Sequence, residues 1–279
     1  MELNFRMKER VAMNTKKAYA SDLVYIQQWA QITFGNSNFP MTEDAILLFI
    51  TDHLQGMEEK KEKELMSPIL KNGYKAKRGP HSLKTVRRRL SALTAYHRER
   101  GYCDPCSYSK VKHLIDTVSK TAKKTIQQRP ITKDILDKLL TICNSSIQGI
   151  RNKAILLLAW TSGARRSEIA AAQVEHLTGI GEDFLLHIPA SNPGGDSLLN
   201  VPLKGSAAQA LRDWMAVASV KQGAIFRAVS RHGKISDNAL SPVDINRVVK
   251  NCCKTAGFDE NQFCAHSLRL GFRTQISSS

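Results

Sequence analysis

Apolar residues recur with helical spacing along most of the chain. Within Asn14–Trp29, the positions Tyr19, Leu23, Ile26 and Trp29 fall on one helical face, which predicts a helix with one buried side. The same periodicity, with serine or threonine at the expected start, predicts further helices that begin at or just after Thr42, Ser82, Ser107, Thr132, Ser206 and Ser241. The chain is therefore predicted to be mainly α-helical.

Two short segments depart from this helical pattern. Phe184–Pro189 and Leu198–Leu203 have strand length and are separated by the turn-forming sequence Asn192–Asp196, so they predict a β-hairpin. The run Glu58–Glu64 mixes both charge signs on every side and suits either a solvated extension of a helix or a loop. The expected fold class is mainly α with a small β-hairpin or sheet in the second half.

The segment Ile155–Gln173 combines the most apolar helix with a charged cluster. Residues Ile155–Trp160 are apolar on nearly every face, which predicts a helix inside a domain. Gly163 suits the helix end, and Arg165, Arg166, Ser167 and Glu168 follow it. A guanidinium held between two packed helices fits a phosphate or carboxylate. The alternative is a surface charge cluster that caps a helix.

The chain length and one polar stretch indicate two domains. The 279 residues are enough for two hydrophobic cores. Lys120–Arg129 loses hydrophobic periodicity and ends at Pro130, which is typical of a linker. We predict a helical domain over residues 1–121, a basic linker over residues 122–131 and a second domain over residues 132–279.

The charge is strongly basic and unevenly distributed. The formal net charge is +16 and the pI is near 9.7, which favours a polyanionic partner: nucleic acid first, an anionic membrane surface second. Between Lys71 and Arg129, sixteen Lys or Arg face three acidic residues, a net of +13. The predicted helix Ser82–Arg100 carries four basic residues off its apolar stripe, namely Lys84, Arg87, Arg88 and Arg98. We predict that this face contacts DNA, although it could be only a solubilising face.

The sequence favours an intracellular protein without a metal. The amino terminus lacks a basic start followed by an apolar run, and no apolar stretch reaches membrane-spanning length, so we expect neither a signal peptide nor a membrane span and a cytoplasmic, nucleoid-associated location. Six scattered cysteines fit free thiols. Cys103 and Cys106 have zinc-like spacing between His97 and His113, but no second ligand pair accompanies them. We therefore expect no metal site.

A second cluster near the end of the sequence changes this picture. In Ala265–Phe272, His266 and Arg269 are three residues apart and share one helical face. Together with Arg165 and Glu168, in this order along the chain, they resemble the arginine box and the H-x-L-R-x-x-F box of the tyrosine recombinase (phage integrase) family. The segment Asn14–Trp29 also resembles the first helix of that family's core-binding domain.

The resemblance implies a fold, a partner and a chemistry. It implies a SAM-like helical core-binding domain and an α+β catalytic domain that close around double-stranded DNA, with Lys123 and Lys124 of the linker near phosphates. In that family a tyrosine attacks the scissile phosphodiester and forms a 3′-phosphotyrosyl link, and the resemblance implies neither a metal nor another cofactor. Arg165 and Arg269 match the two catalytic arginines, His266 matches the histidine, and Glu168 is the supporting acid. The family also implies a homotetramer on paired DNA sites.

Two features depart from the family pattern. Asn192 stands in the hairpin where a general-acid lysine is expected, and the six tyrosines all lie at or before Tyr108, whereas the family's nucleophile follows the second arginine. We therefore expect a recombinase or integrase that lacks its carboxy-terminal end and is inactive alone. The alternative is a non-catalytic DNA-binding protein that occupies or regulates the recombination sites of a mobile element.

Overall fold

The computed structural model describes residues 13–36, 39–71, 78–121, 128–189 and 198–277. The chain forms two compact units, Met1–Lys123 and Lys124–Ser279. In the described part of the first unit, the helices are α1 (Met13–Phe34), α2 (Glu43–Gln55), α3 (Glu59–Lys71), α4 (Leu83–Glu99) and α5 (Ser109–Thr121), with a 3₁₀ turn at Pro105–Ser107.

The first unit is built from capped amphipathic helices. The hydroxyls of Thr42 and Ser82 accept hydrogen bonds from the backbone N–H groups of Ala45 and Thr85, so both predicted N-caps are present. Trp29 lies at the centre of the core and meets the Phe49 ring edge-on at 5.0 Å. The charged run lies in α3 from Glu59 onward, so of the two alternatives the helical one is correct.

A buried polar network connects α1, α2 and α4. His53 donates from Nδ1 to the Phe49 carbonyl at 2.6 Å and accepts at Nε2 from the Tyr25 hydroxyl at 3.0 Å. The Arg89 guanidinium lies 3.3 Å from the centre of the Tyr25 ring, and its Nε is 3.6 Å from Asp22 Oδ1. Burial lowers the pKa of His53 to about 3, so the imidazole is neutral at physiological pH. The apolar stripe did not reveal that Arg89 faces inward.

The second unit surrounds one central helix. Its described helices are α6 (Lys133–Thr141), α7 (Ile147–Ser162), α8 (Arg166–Ala170), α9 (Ser206–Val217), α10 (Pro242–Thr255) and α11 (Ala265–Ser277). Its strands are β1 (Leu177–Ile180), β2 (Asp183–Pro189), β3 (Leu198–Leu203), β4 (Arg227–Val229) and β5 (Ile235–Ala239). Helix α7 is buried over almost its whole carboxy-terminal half, as its uninterrupted apolar sequence predicts.

The strands form two small antiparallel sheets. The predicted hairpin is present as β2 and β3, with Leu186 opposite Val201 and both side chains buried. Strand β1 adds to the outer edge of β2, and β4 pairs with β5 in a separate two-stranded sheet. The mainly α fold with a small sheet in the second domain is confirmed, but β1, β4 and β5 were not predicted.

Two helix starts in this unit differ in detail from the prediction. Ser206 is the first residue of α9 rather than its cap, and Gly205, with a positive φ of 52°, occupies the N-cap position. Thr132 occupies the N-cap position of α6, but its side chain makes no capping hydrogen bond. The Ser241 cap of α10 is present and is reinforced by Asp244, whose carboxylate accepts from the Ser241 backbone N–H at 3.2 Å.

Candidate functional site

Arg165 lies at the junction between α7 and α8. Gly163 ends α7 in the left-handed conformation, with φ of 58°, which turns the chain sharply before Arg165. Glu168 then positions Arg165 through two hydrogen bonds. Its carboxylate accepts from the Arg165 backbone N–H at 2.6 Å and from Arg165 Nη1 at 2.8 Å.

The two partners of this ion pair differ in exposure. The Glu168 side chain is 2% exposed, whereas that of Arg165 is 44% exposed. The acid is therefore enclosed in the protein, and the guanidinium keeps donors that face outward. Glu168 thus orients Arg165 without neutralising its accessible side.

Arg269 and His266 lie on the first turns of α11. Arg269 donates from Nη1 to the carbonyl oxygen of Gly163 at 2.7 Å. The turn at Gly163 therefore helps to position both arginines, because it leads the chain into Arg165 and its carbonyl group accepts from Arg269. Burial, and then the charges of Arg165 and Arg273, lower the pKa of Arg269, while Glu168 acts in the opposite direction.

Close packing fixes α11 against the end of α7. A Cβ at Gly163 would meet the Phe272 ring at 2.3 Å, so this aromatic residue lies directly on the glycine. A Cβ at Gly271 would lie 1.9 Å from the carbonyl oxygen of Ile131 and 2.4 Å from the Trp160 ring. Glycine at both positions permits the close approach of α11 that brings Arg269 to Gly163.

The residues of these elements line one open cavity of about 520 Å³. Arg165, His266 and Arg269 all contribute to its wall, so the three predicted catalytic residues are close together although about a hundred residues separate them in sequence. Two fixed guanidiniums and an exposed imidazole can bind a tetrahedral oxyanion such as phosphate through charge-assisted hydrogen bonds. They can also stabilise additional negative charge on that group.

Four further polar residues on the cavity wall were not predicted as site residues, namely Arg166, Ser167, Asn246 and Arg273. Asn246 of α10 accepts from the backbone N–H of Ala265 at 3.0 Å, which ties α10 to the residue before His266. No sequence signal pairs Asn246 with Ala265, since their contact depends on the packing of two helices. Arg166 could have been found, because it lies in the arginine cluster that was already singled out, and Arg273 directly follows the second cluster, Ala265–Phe272.

The predicted basic face of α4 is exposed. Lys84, Arg87, Arg88 and Arg98 all lie on the surface of the first unit. Arg87 donates to the Ser119 hydroxyl at 2.6 Å, and Arg88 forms an ion pair with the buried Asp22. These contacts give both guanidiniums defined positions on the face. Lys123 and Lys124 of the linker, and Asn192 of the hairpin, lie outside the described residues.

The zinc-like cysteine spacing has another structural explanation. His97 donates from Nδ1 to the Cys103 carbonyl at 2.8 Å, and Cys106 Sγ is 3.5 Å from the Thr94 hydroxyl. In the described ranges, no group of three or more His, Cys, Asp or Glu residues is placed to hold a metal ion. Within those same ranges, none of the helices combines the length and hydropathy needed to cross a membrane.

Comparison with known proteins adds a family match. The sequence model described as "Phage integrase family" matches residues 129–279. An integrase/recombinase xerD homolog from Selenomonas ruminantium is 27% identical over 285 aligned residues, covering 98% of this chain and 76% of that protein. Tyrosine recombinase XerC from Pseudomonas entomophila (strain L48) is 27% identical over 207 residues, covering 71% of this chain and 62% of that protein.

Solved structures share the fold. XerH site-specific recombinase bound to palindromic difH substrate aligns with a TM-score of 0.58 at 17% identity, covering 94% of this chain and 68% of XerH. A lambda integrase dimer bound to a COC′ core site aligns with a TM-score of 0.56 at 14% identity, covering 95% of this chain and 82% of that one. At these identities the likeness concerns the fold alone.

Proposed function

We propose that this chain, which belongs to the phage integrase family of tyrosine recombinases, binds duplex DNA and holds a backbone phosphate between Arg165, His266 and Arg269. The observation that carries this proposal is the placement of all three side chains on the wall of one cavity. The XerH structure is bound to its difH substrate and the lambda integrase structure to a COC′ core site, and this chain shares their fold. The net charge of +16 supports the same partner.

Each side chain has a distinct task at the phosphate. Arg165 and Arg269 donate to the two non-bridging oxygens. Glu168 holds Arg165 in position before the phosphate binds, and the Gly163 carbonyl holds Arg269. During strand cleavage a phosphodiester becomes pentacoordinate and gains negative charge, so donors already in place stabilise the transition state more than the ground state. His266 supplies a further hydrogen bond or a proton transfer.

The first unit and the linker supply further DNA contacts. The exposed face of α4, with Lys84, Arg87, Arg88 and Arg98, contacts phosphates of the duplex, and the linker lysines Lys123 and Lys124 do the same. On paired DNA sites the chain assembles as a homotetramer, as the family resemblance implies. These contacts position the DNA, whereas the cavity selects one phosphate.

The tyrosines favour a second candidate function, which is DNA binding without strand cleavage by these 279 residues. No tyrosine follows Tyr108 in the sequence. Tyr25 and Tyr96 are buried, and burial raises the pKa of both phenols, the opposite of what an activated nucleophile requires. The less buried Tyr19, Tyr102 and Tyr108 pack against the hydrophobic core of the first unit.

Fluorescence anisotropy with labelled duplex DNA and heparin as competitor tests the binding. We expect duplex binding to persist when heparin is present at a concentration that supplies as many negative charges as the DNA phosphates. In Arg165→Gln we expect the duplex affinity to weaken about tenfold or more, since a charge-assisted contact is lost. Equal affinity of the wild type and Arg165→Gln would refute the proposed phosphate site.

A nicked suicide duplex distinguishes the two candidate functions. Cleavage by these 279 residues would leave a covalent protein–DNA adduct that survives denaturing electrophoresis. We expect no adduct, because the described tyrosines are structural. An adduct would show that one of the six tyrosines is a nucleophile and would exclude the non-catalytic candidate.

A further inference from the structure

Arg273 brings another guanidinium to the cavity, beyond those of the proposed phosphate site. It lies on α11 four residues after Arg269, lines the same wall and is exposed. Its side chain has no ion pair or hydrogen bond to any residue in the described ranges. Arg166, the first residue of α8, is the fourth arginine that lines this cavity.

This charge exceeds what one phosphodiester requires. A phosphodiester carries one negative charge and two non-bridging oxygens, and Arg165 and Arg269 already supply paired donors for both. Arg269 also lies close enough to Arg165 and Arg273 for both charges to lower its pKa, so the arginines repel one another while the cavity is empty. More than one bound anion would relieve this repulsion.

The spacing of the arginines on α11 fits consecutive phosphates of one strand. Residues four apart in an α-helix lie on one face and are separated by about 6 Å along its axis. Two arginine side chains that start at that separation can each meet a different phosphate of a continuous backbone. The volume of about 520 Å³ leaves room for more than one phosphate group.

We propose that Arg273 binds the phosphate next to the one held by Arg165, His266 and Arg269, so that the cavity recognises two consecutive phosphodiesters of one DNA strand. This inference rests on the proposed function and adds to it. The cavity then reads the direction of the backbone as well as its charge, because the two phosphates lie in different surroundings. Arg273 is a binding residue of this site and takes no part in bond breaking.

The test compares three oligonucleotides of equal length on the 279-residue chain. The first is the trithymidylate TpTpT, with two charged linkages. The other two each carry a neutral methylphosphonate, one at the first linkage and one at the second. Affinity is measured from the change of the His266 imidazole resonances during titration. For the wild type we expect TpTpT to bind about tenfold more tightly than the better of the two neutralised forms, the effect of one charge-assisted contact.

The variant Arg273→Gln should lose this preference, so that TpTpT and the better neutralised form bind within about twofold of each other. Arg231→Gln is the matched control, because Arg231 is an exposed arginine outside the cavity wall. It should keep the wild-type preference. Unchanged His266 resonances without ligand verify that each variant is folded at the site.

Failure of the inference and failure of the proposed function give different results. If TpTpT binds but the wild type shows no preference, or if Arg273→Gln keeps it, the second phosphate site is refuted and the first stands. If the trinucleotides do not perturb His266 and Arg165→Gln leaves duplex affinity unchanged, the phosphate cavity itself is refuted, and the inference with it.

Discussion

At the scale of single residues, the site depends on how Arg165 and Arg269 are held rather than on their presence alone. Each uses one Nη1 for an internal hydrogen bond, Arg165 to Glu168 and Arg269 to the Gly163 carbonyl. Their remaining donors are thereby fixed before any anion arrives. This arrangement depends most on Glu168, since its carboxylate is buried and accepts hydrogen bonds from both the backbone and the side chain of Arg165.

Glu168→Gln should destabilise the second unit by about 1–3 kcal/mol, because a neutral amide cannot accept from both Arg165 donors and leaves a buried polar group without a partner. Chemical denaturation followed by tryptophan fluorescence measures the change. Glu182→Gln is the control, since the Glu182 carboxylate is 95% exposed in its pair with Arg212. An unchanged unfolding midpoint for Glu168→Gln would contradict the assigned role.

His53 gives the first unit a pH dependence of known sign. Its pKa falls from 6.5 to about 3 on folding, so the folded state binds fewer protons than the unfolded state between these values. Stability from this group is complete above pH 6.5 and is lost as the pH falls toward 3. The slope approaches about 1.4 kcal/mol per pH unit in that window.

Unfolding followed at the Trp29 indole as a function of pH tests this dependence. The wild type should lose stability between pH 6 and pH 4 more steeply than His53→Gln, which is neutral throughout. The buried Asp22 acts in the opposite direction, because burial raises its pKa, and it is common to both proteins. Parallel curves for the wild type and His53→Gln would show that His53 does not control this response.

At the scale of elements, the site is the contact between the end of α7 and the start of α11. Phe272 lies on Gly163 and Gly271 lies on Ile131, so α11 has no room to approach differently. Asn246 adds a tie from α10 through its hydrogen bond to Ala265. Three helices therefore determine where His266 and Arg269 lie.

Gly271→Ala should destabilise the second unit by about 1–3 kcal/mol, because the added methyl group meets a backbone carbonyl that cannot move aside. It should also weaken duplex binding, as α11 is displaced together with Arg269. Denaturation and anisotropy measure the two effects. Gly179→Ala on β1, where a Cβ meets nothing within 4 Å, should change neither. A Gly271→Ala protein of wild-type stability and affinity would contradict this packing.

The sequence was informative where the signal was local. The glycine that ends α7, the β2–β3 hairpin and the helical face shared by His266 and Arg269 follow from short-range patterns, and the structure contains all of them. Contacts that depend on tertiary packing could not be predicted. Asn246 meets Ala265 only because α10 packs on α11, and Arg89 faces inward only because Tyr25 and Asp22 receive it.

At the scale of the whole molecule, the excess positive charge determines how strongly salt opposes binding. Most of it falls between Lys71 and Arg129, which contains the exposed face of α4. Each phosphate contact releases counterions, so the logarithm of affinity falls linearly with the logarithm of salt concentration. The slope therefore counts the contacts that the chain makes with DNA.

Lys84→Gln should reduce that slope by about 0.9, the value for one phosphate contact on duplex DNA. Anisotropy titrations across a series of salt concentrations give the slope. Lys254→Gln in the second unit is the control, since this exposed lysine lies on neither α4 nor the cavity wall. An equal slope for the wild type and Lys84→Gln would remove α4 from the DNA surface.

The convergence of Arg165, His266 and Arg269 on one phosphate is tested most directly by side-chain NMR during titration with the dinucleotide TpT, which has a single phosphodiester. The guanidinium resonances of both arginines and the imidazole resonances of His266 should shift together, with one common midpoint. Shifts with separate midpoints, or a resonance of any of the three that does not respond while the others saturate, would contradict it.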